Sequence, residues 1–128
     1  MKSILLVMAF CVTFLGACAQ GKTPELLSPS QYKSLAQKEK GVLVDVRTPD
    51  EFASGHLHTA LNSDFSGGQF TQEFKDWDKD KTYYLYCASG NRSGKAAQQM
   101  RDAGFTKVYN IGGFTSLKEA GLPVNDKK

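Results

Sequence analysis

Long apolar runs, cysteines and blocks of like charge are all scarce in this chain of 128 residues. The one extended apolar stretch, Ile4 to Leu15, holds 12 residues. That falls short of the about 20 residues a membrane-spanning helix requires, and it suits the apolar region of a signal peptide, with Lys2 as its positive flank. No basic run stands out: Lys38-Glu39-Lys40 and Asp126-Lys127-Lys128 mix their signs, so nucleic-acid binding has no support. The formal net charge is +3, and losing the single charge of Lys2 leaves +2. Internal repeats and low-complexity tracts are also absent. With 41% hydrophobic and 23% charged residues, the composition is that of one soluble globular domain.

The three cysteines are Cys11, Cys18 and Cys87. Leu15-Gly16-Ala17-Cys18 resembles the bacterial lipoprotein signal, in which cleavage precedes the cysteine and the cysteine carries the lipid. An ordinary secretory peptide cut near Ala17 or Ala19 is the alternative. The expected organisation is a signal peptide over 1–17, the lipidated Cys18 and a tether over 18–25, one domain over 26–124 and a polar tail over 125–128. Export places the chain in the bacterial cell envelope, held by lipid alone and facing the periplasm. On this reading Cys11 leaves with the signal, Cys18 becomes a thioether, and Cys87 remains as the free thiol. That excludes a disulfide scaffold even in an oxidising compartment. A lone exported thiol is a liability unless it is buried or used.

Cys87 ends an apolar run, Tyr83-Tyr84-Leu85-Tyr86, and the short loop Ala88-Ser89-Gly90-Asn91-Arg92 leads into a helix-like segment. Backbone N–H groups converge at a helix start, and the helix dipole there favours negative charge. Such surroundings lower a thiol pKa from about 8.5 to roughly 3.5–7.5 and so supply the nucleophilic thiolate. Gly90 permits a positive φ, and Arg92 adds a fixed cation. A buried structural cysteine at a strand end is the plainer alternative.

The rest of the domain alternates strand and helix signals. Ser28-Pro29-Ser30-Gln31 reads as a helix cap with proline at the first position, and the helix fades by Lys40-Gly41. Val42-Leu43-Val44-Asp45-Val46 reads as a buried parallel strand. Thr48-Pro49-Asp50-Glu51 repeats the cap pattern for a short helix that Gly55 ends, and Ala60-Leu61-Asn62 suggests another strand. Phe70, Phe74 and Trp77 lie at helical spacing as core anchors. After the cysteine loop, Ala96, Met100 and Ala103 mark a helix face that Gly104 closes. Phe105 to Tyr109 reads as a strand, and Gly112-Gly113 turns into a last short helix. The class is α/β, with a largely parallel central sheet flanked by helices. In such sheets ligands bind beyond the carboxyl ends of the strands, where Arg47 and Cys87 fall.

Three motifs in order then resemble the single-domain rhodaneses. They are Asp45-Val46-Arg47-Thr48-Pro49-Asp50-Glu51-Phe52 with Gly55-His56-Leu57 and Ala60-Leu61-Asn62; Tyr86 to Ser93; and Asn110-Ile111-Gly112-Gly113 with Ala120-Gly121-Leu122-Pro123-Val124. Two departures are His58-Thr59, where the family often has Pro-Gly, and Leu117, where tryptophan is common. The resemblance implies a sulfurtransferase in which Cys87 takes a sulfane sulfur from a donor such as thiosulfate and holds it as a persulfide. A thiol, a cyanide-like acceptor or a protein acceptor then removes it. No cofactor and no metal is implied.

Roles follow by position. Cys87 is the nucleophile, and backbone N–H groups over Ala88, Ser89, Gly90, Asn91 and Arg92 face the persulfide. Arg92 binds an anionic donor or clamps the loop. Arg47 assists substrate or pairs with Asp45, which alternatively caps the strand end. His56 is structural, and Ser93, like Ser89 and Asn91, lines the loop or caps the helix. A phosphatase or arsenate reductase on the same fold would place five residues between cysteine and arginine; here there are four, a loop better fitted to one sulfur atom. A persulfide carrier or a protein-docking module of the same family is the remaining alternative.

Overall fold

The computed structural model describes residues 26–126, so the expected signal peptide, Cys18 and the tether lie outside the described residues. In chain order the elements are α1 (Pro29–Lys38), β1 (Val42–Asp45), α2 (Pro49–Ala53), β2 (Gly55–Leu57), β3 (Leu61–Asn62) and α3 (Gln69–Glu73). A 3-10 turn (Phe74–Asp76) then precedes β4 (Tyr83–Cys87), α4 (Asn91–Asp102), β5 (Val108–Gly113), α5 (Phe114–Glu119) and β6 (Val124–Asp126).

Local chemistry starts the first two helices. The Ser28 hydroxyl accepts from the Gln31 N–H at 3.2 Å while the Gln31 side chain accepts from the Ser28 N–H at 2.8 Å. Thr48 and Glu51 repeat this reciprocal cap at α2. In each case proline follows the cap, where its missing N–H costs nothing.

Four strands form a parallel sheet in the order β3-β1-β4-β5. β4 lies at its centre and is buried along its whole length. Side chains alternate across a strand, so Tyr83, Leu85 and Cys87 face one layer and Tyr84 and Tyr86 the other. The first layer packs with Val44, Val46 and Phe70, and with Ala96, Ala97 and Met100 of α4. The second packs with Leu43, Leu57, Ile111 and Leu117. This alternation aims the Cys87 side chain toward the start of α4.

Several local expectations change. α2 ends at Ala53, and Gly55 opens β2 rather than merely stopping a helix. β2 pairs antiparallel with β6, so residues 125 and 126, expected in a polar tail, lie in a strand. Two three-residue strands that pair about 70 residues apart leave no periodic signal. Ala103 is the exposed C-cap of α4 instead of a core position. Phe105 is buried among the rings of Phe74 and Tyr83 ahead of the strand, which begins at Val108. Thr59 has φ +71°, the left-handed region that glycine favours, at the place where rhodaneses often carry glycine. Leu117, replacing the common tryptophan, is fully buried.

Candidate active site

Cys87 is the last residue of β4, and three loop residues later α4 begins. Gly90 turns the chain with φ +91°, and a Cβ there would sit 3.2 Å from Gly112 Cα. A side chain would therefore be strained twice over, by the dihedral and by the neighbouring strand. At Gly113 a Cβ would lie 2.6 Å from the Ala88 carbonyl oxygen, so the loop rests directly on the backbone of β5.

The Gly90 N–H donates to Cys87 Sγ at 3.0 Å, and the Ser93 hydroxyl stands 3.4 Å from the same sulfur. The N–H groups of Ser89 and Ser93 also act on it. Cys87 is fully buried. Burial pushes the thiol pKa up, but the Ser93 hydroxyl and the N–H groups of Ser93, Ser89 and Gly90 outweigh it and hold the thiol below its ordinary value. Ala88, Ser89 and Asn91 form the exposed rim of this cradle.

A second ring of hydrogen bonds fixes the cradle. Asn110 Oδ1 accepts from the Ser93 hydroxyl at 2.7 Å and from the Gly112 N–H at 3.0 Å, while its Nδ2 donates to the Gly90 carbonyl at 2.9 Å. Asn110 reaches all three because the β4–β5 register slips: Leu85 pairs with Asn110, but Tyr86 pairs with Gly112. In the sequence Asn110 belongs to a family motif that suggests no role for it. The available signal was a polar amide in a strand otherwise built for burial, which needs partners there. The Ser93 hydroxyl has one proton and two acceptors, and Asn110 Oδ1 at 2.7 Å is nearer than Sγ at 3.4 Å. Once the thiolate forms, that proton can turn to sulfur. Ser93→Ala is accordingly expected to move the acid limb of the kcat/KM–pH profile for sulfur transfer to higher pH. An unmoved limb would refute the role given to the hydroxyl.

The two arginines behave differently. Arg47 is buried, with Nε 3.0 and 3.1 Å from the two Asp45 oxygens and Nη2 2.7 Å from Asp45 Oδ2. The same Nη2 donates to the Gly55 carbonyl at 2.7 Å, and the guanidinium lies 4.4 Å from the Phe114 ring centroid. These close contacts are all internal and include the pairing with Asp45 that was one of its expected roles. Asp45 likewise serves as the buried partner, also accepting the Arg47 N–H at 2.9 Å. His56 stacks on Phe52 at 3.7 Å between centroids and bonds the Phe52 carbonyl at 2.9 Å, a structural position.

Arg92 remains partly exposed at the first turn of α4. It pairs in a fork with Glu51, Nη1 to Oε1 at 2.7 Å and Nη2 to Oε2 at 3.0 Å. Arg92 holds the Glu51 carboxyl down to about 2. In the sequence Glu51 is marked only as a helix-capping acid. Its bond to Arg92, 41 positions away, has no local signature. Beside the loop a cleft of ≈ 450 Å³ opens between Ser89, Gly90, Gly112, Ser116 and the start of α1.

The arrangement is a buried thiol at a strand end, faced by backbone N–H groups at a helix start that hold its pKa below the ordinary value. The family model of the rhodanese-like domain matches residues 28–120. The chain is 41% identical over 103 residues to the protein YqhL of Bacillus subtilis, covering 75% of this chain and 78% of that one. It is 33% identical over 97 residues to the thiosulfate sulfurtransferase GlpE of Pseudomonas putida, covering 76% and 86%. Among solved structures, a rhodanese-related protein from Thermoplasma volcanium superposes with a TM-score of 0.69 at 27% identity, covering 80% of this chain and 99% of that one. The cradle, the sheet and these likenesses agree: the chain belongs to the rhodanese-like domain family.

Proposed function

We propose that this protein is a sulfurtransferase that moves a sulfane sulfur from a donor such as thiosulfate to a thiophilic acceptor through a persulfide on Cys87. The observation that carries the reading is the cradle itself, in which the Gly90 N–H already stands 3.0 Å from Sγ and only four residues separate Cys87 from Arg92. In the first step the Cys87 thiolate attacks the outer sulfur of the donor. The Sγ–S bond forms, the donor S–S bond breaks, and sulfite leaves with the bonding pair when the donor is thiosulfate. In the second step a nucleophile such as cyanide or a thiolate takes the outer sulfur, and the thiolate returns. No electron acceptor is needed, because the sulfane sulfur moves with its oxidation level conserved between donor and product. The persulfide anion takes over the backbone dipoles that hold the thiolate.

The test is mass spectrometry of the protein after exposure to thiosulfate, polysulfide or a protein persulfide, followed by steady-state turnover with cyanide. A gain of one sulfur on Cys87 with repeated turnover supports the enzyme. Single loading that stalls without a protein partner would assign the same chemistry to a carrier. Phosphatase turnover without sulfur loading would overturn both.

The reading extends to location. Leu15-Gly16-Ala17-Cys18 supports export to the bacterial cell envelope and attachment by lipid on Cys18, with the domain facing the periplasm. Cys18→Ala is expected to move the protein from the membrane to the soluble fraction on cell fractionation. Unchanged membrane attachment would refute the anchor.

A further inference from the structure

Two arginines stand at the carboxyl end of the sheet, and neither offers an uncommitted charge. Arg47 is closed off with Asp45 inside the fold. Arg92 is forked onto Glu51, yet this pair is open to solutes: the two side chains are 25% and 35% exposed. Glu51 raises the Arg92 pKa, and the nearby Cys87 sulfur adds to that effect. Arg92 stands in the first turn of α4, directly after the Cys87 loop, and is partly exposed, so an anionic donor bound at that loop lies within its field, and Glu51 takes one N–H from each of its two terminal nitrogens. A fork of this kind uses two of the five N–H donors and neutralises the charge that a second anion would otherwise meet.

We infer that Glu51 is a specificity-determining residue that sets the charge of the preferred donor. It competes with the donor for Arg92, so the site disfavours dianions such as thiosulfate and favours donors of lower charge, such as thiosulfonate monoanions or the persulfides of small thiols. This rests on the sulfurtransferase reading above. Glu51 touches neither donor nor sulfur in this arrangement and acts through Arg92.

The substitution that isolates the effect is Glu51→Gln. The amide keeps the capping bonds of α2, as Gln31 shows by filling the same position in the cap of α1. It removes only the negative charge and one half of the fork. The donors are thiosulfate, a dianion, and methanethiosulfonate, a monoanion with the same reacting S–S bond. In the parent protein the KM for methanethiosulfonate is expected to be no higher than that for thiosulfate. In Glu51→Gln the KM for thiosulfate is expected to fall about tenfold, as a freed charge-assisted donor pair would give. The KM for methanethiosulfonate should change much less, and kcat should stay within about twofold for both. A general loosening of the loop would instead lower kcat for both donors together. Equal shifts for the two donors, or none, overturn the inference. Should the variant fail to fold, the parent alone decides: a thiosulfate KM tenfold below that of the monoanion shows Arg92 free and overturns it. If neither donor adds sulfur to Cys87, the sulfurtransferase reading falls and takes the inference with it.

Discussion

Cys87→Ser is expected to give a folded protein whose transfer of sulfur from thiosulfate to cyanide is at least about 10³-fold slower than that of the parent. The loss follows from the element. A serine hydroxyl is not ionised at neutral pH, and oxygen does not hold a sulfane sulfur as a transferable persulfide. The fold should tolerate the change because the site is already polar on one side. The Gly90 N–H at 3.0 Å and the Ser93 hydroxyl at 3.4 Å can bond an oxygen as they bond Sγ. Serine is also slightly smaller than cysteine, so nothing is overpacked. Steady-state rates, the missing mass gain and an unfolding midpoint within a few degrees of the parent, equivalent to about 1 kcal/mol or less, check each part. Transfer at the parental rate would sink the covalent route.

The largest effect on stability is expected from Asp45→Ala, at about 3–5 kcal/mol of destabilisation. Asp45 is fully inaccessible and receives four hydrogen bonds from Arg47. Without it, an arginine only 5% exposed keeps a single carbonyl partner, Gly55, and two aromatic faces. Burial already pushes the Arg47 pKa down, and Asp45 more than reverses that. Losing the carboxylate thus leaves a charge in the interior with nothing to balance it. Urea unfolding monitored by circular dichroism measures the loss. The double variant Asp45→Ala/Arg47→Met should recover most of it, because removing both partners removes the stranded charge. A loss below about 1 kcal/mol in the single variant would show that the pair does not brace the strand end.

The sequence made the scaffold readable where the physics is local. Ser28 with Gln31 and Thr48 with Glu51 announce helix starts within four residues, and the central strand ends on the cysteine because the apolar run from Tyr83 stops there. The alternation that points Cys87 toward α4 follows from the two-residue period alone. What stayed hidden depends on partners distant in the chain. Gly55 to Leu57 becomes a strand only because Val124 to Asp126 comes to lie beside it. Asn110 acquires its role through a one-residue slip in register, which no pattern of apolar residues encodes. Arg47 and Arg92 read alike as cations at strand ends. The interior claims one and a surface carboxylate the other, a division that only packing decides.

The N-terminal edge of the domain sets where a membrane tether would join the fold. Leu26 bridges to Asn110, and the Leu27 N–H donates to the Asn110 carbonyl at 2.9 Å, so the chain enters the fold beside the residue that steadies the Cys87 loop. Residues 18–25 fully stretched span at most about 28 Å. With lipid on Cys18, as proposed, that leash would keep the reactive end of the molecule within a few nanometres of the bilayer. Acceptors would then be drawn from solutes and proteins at the membrane surface, and lengthening the leash with a flexible insert would widen their range without altering the chemistry.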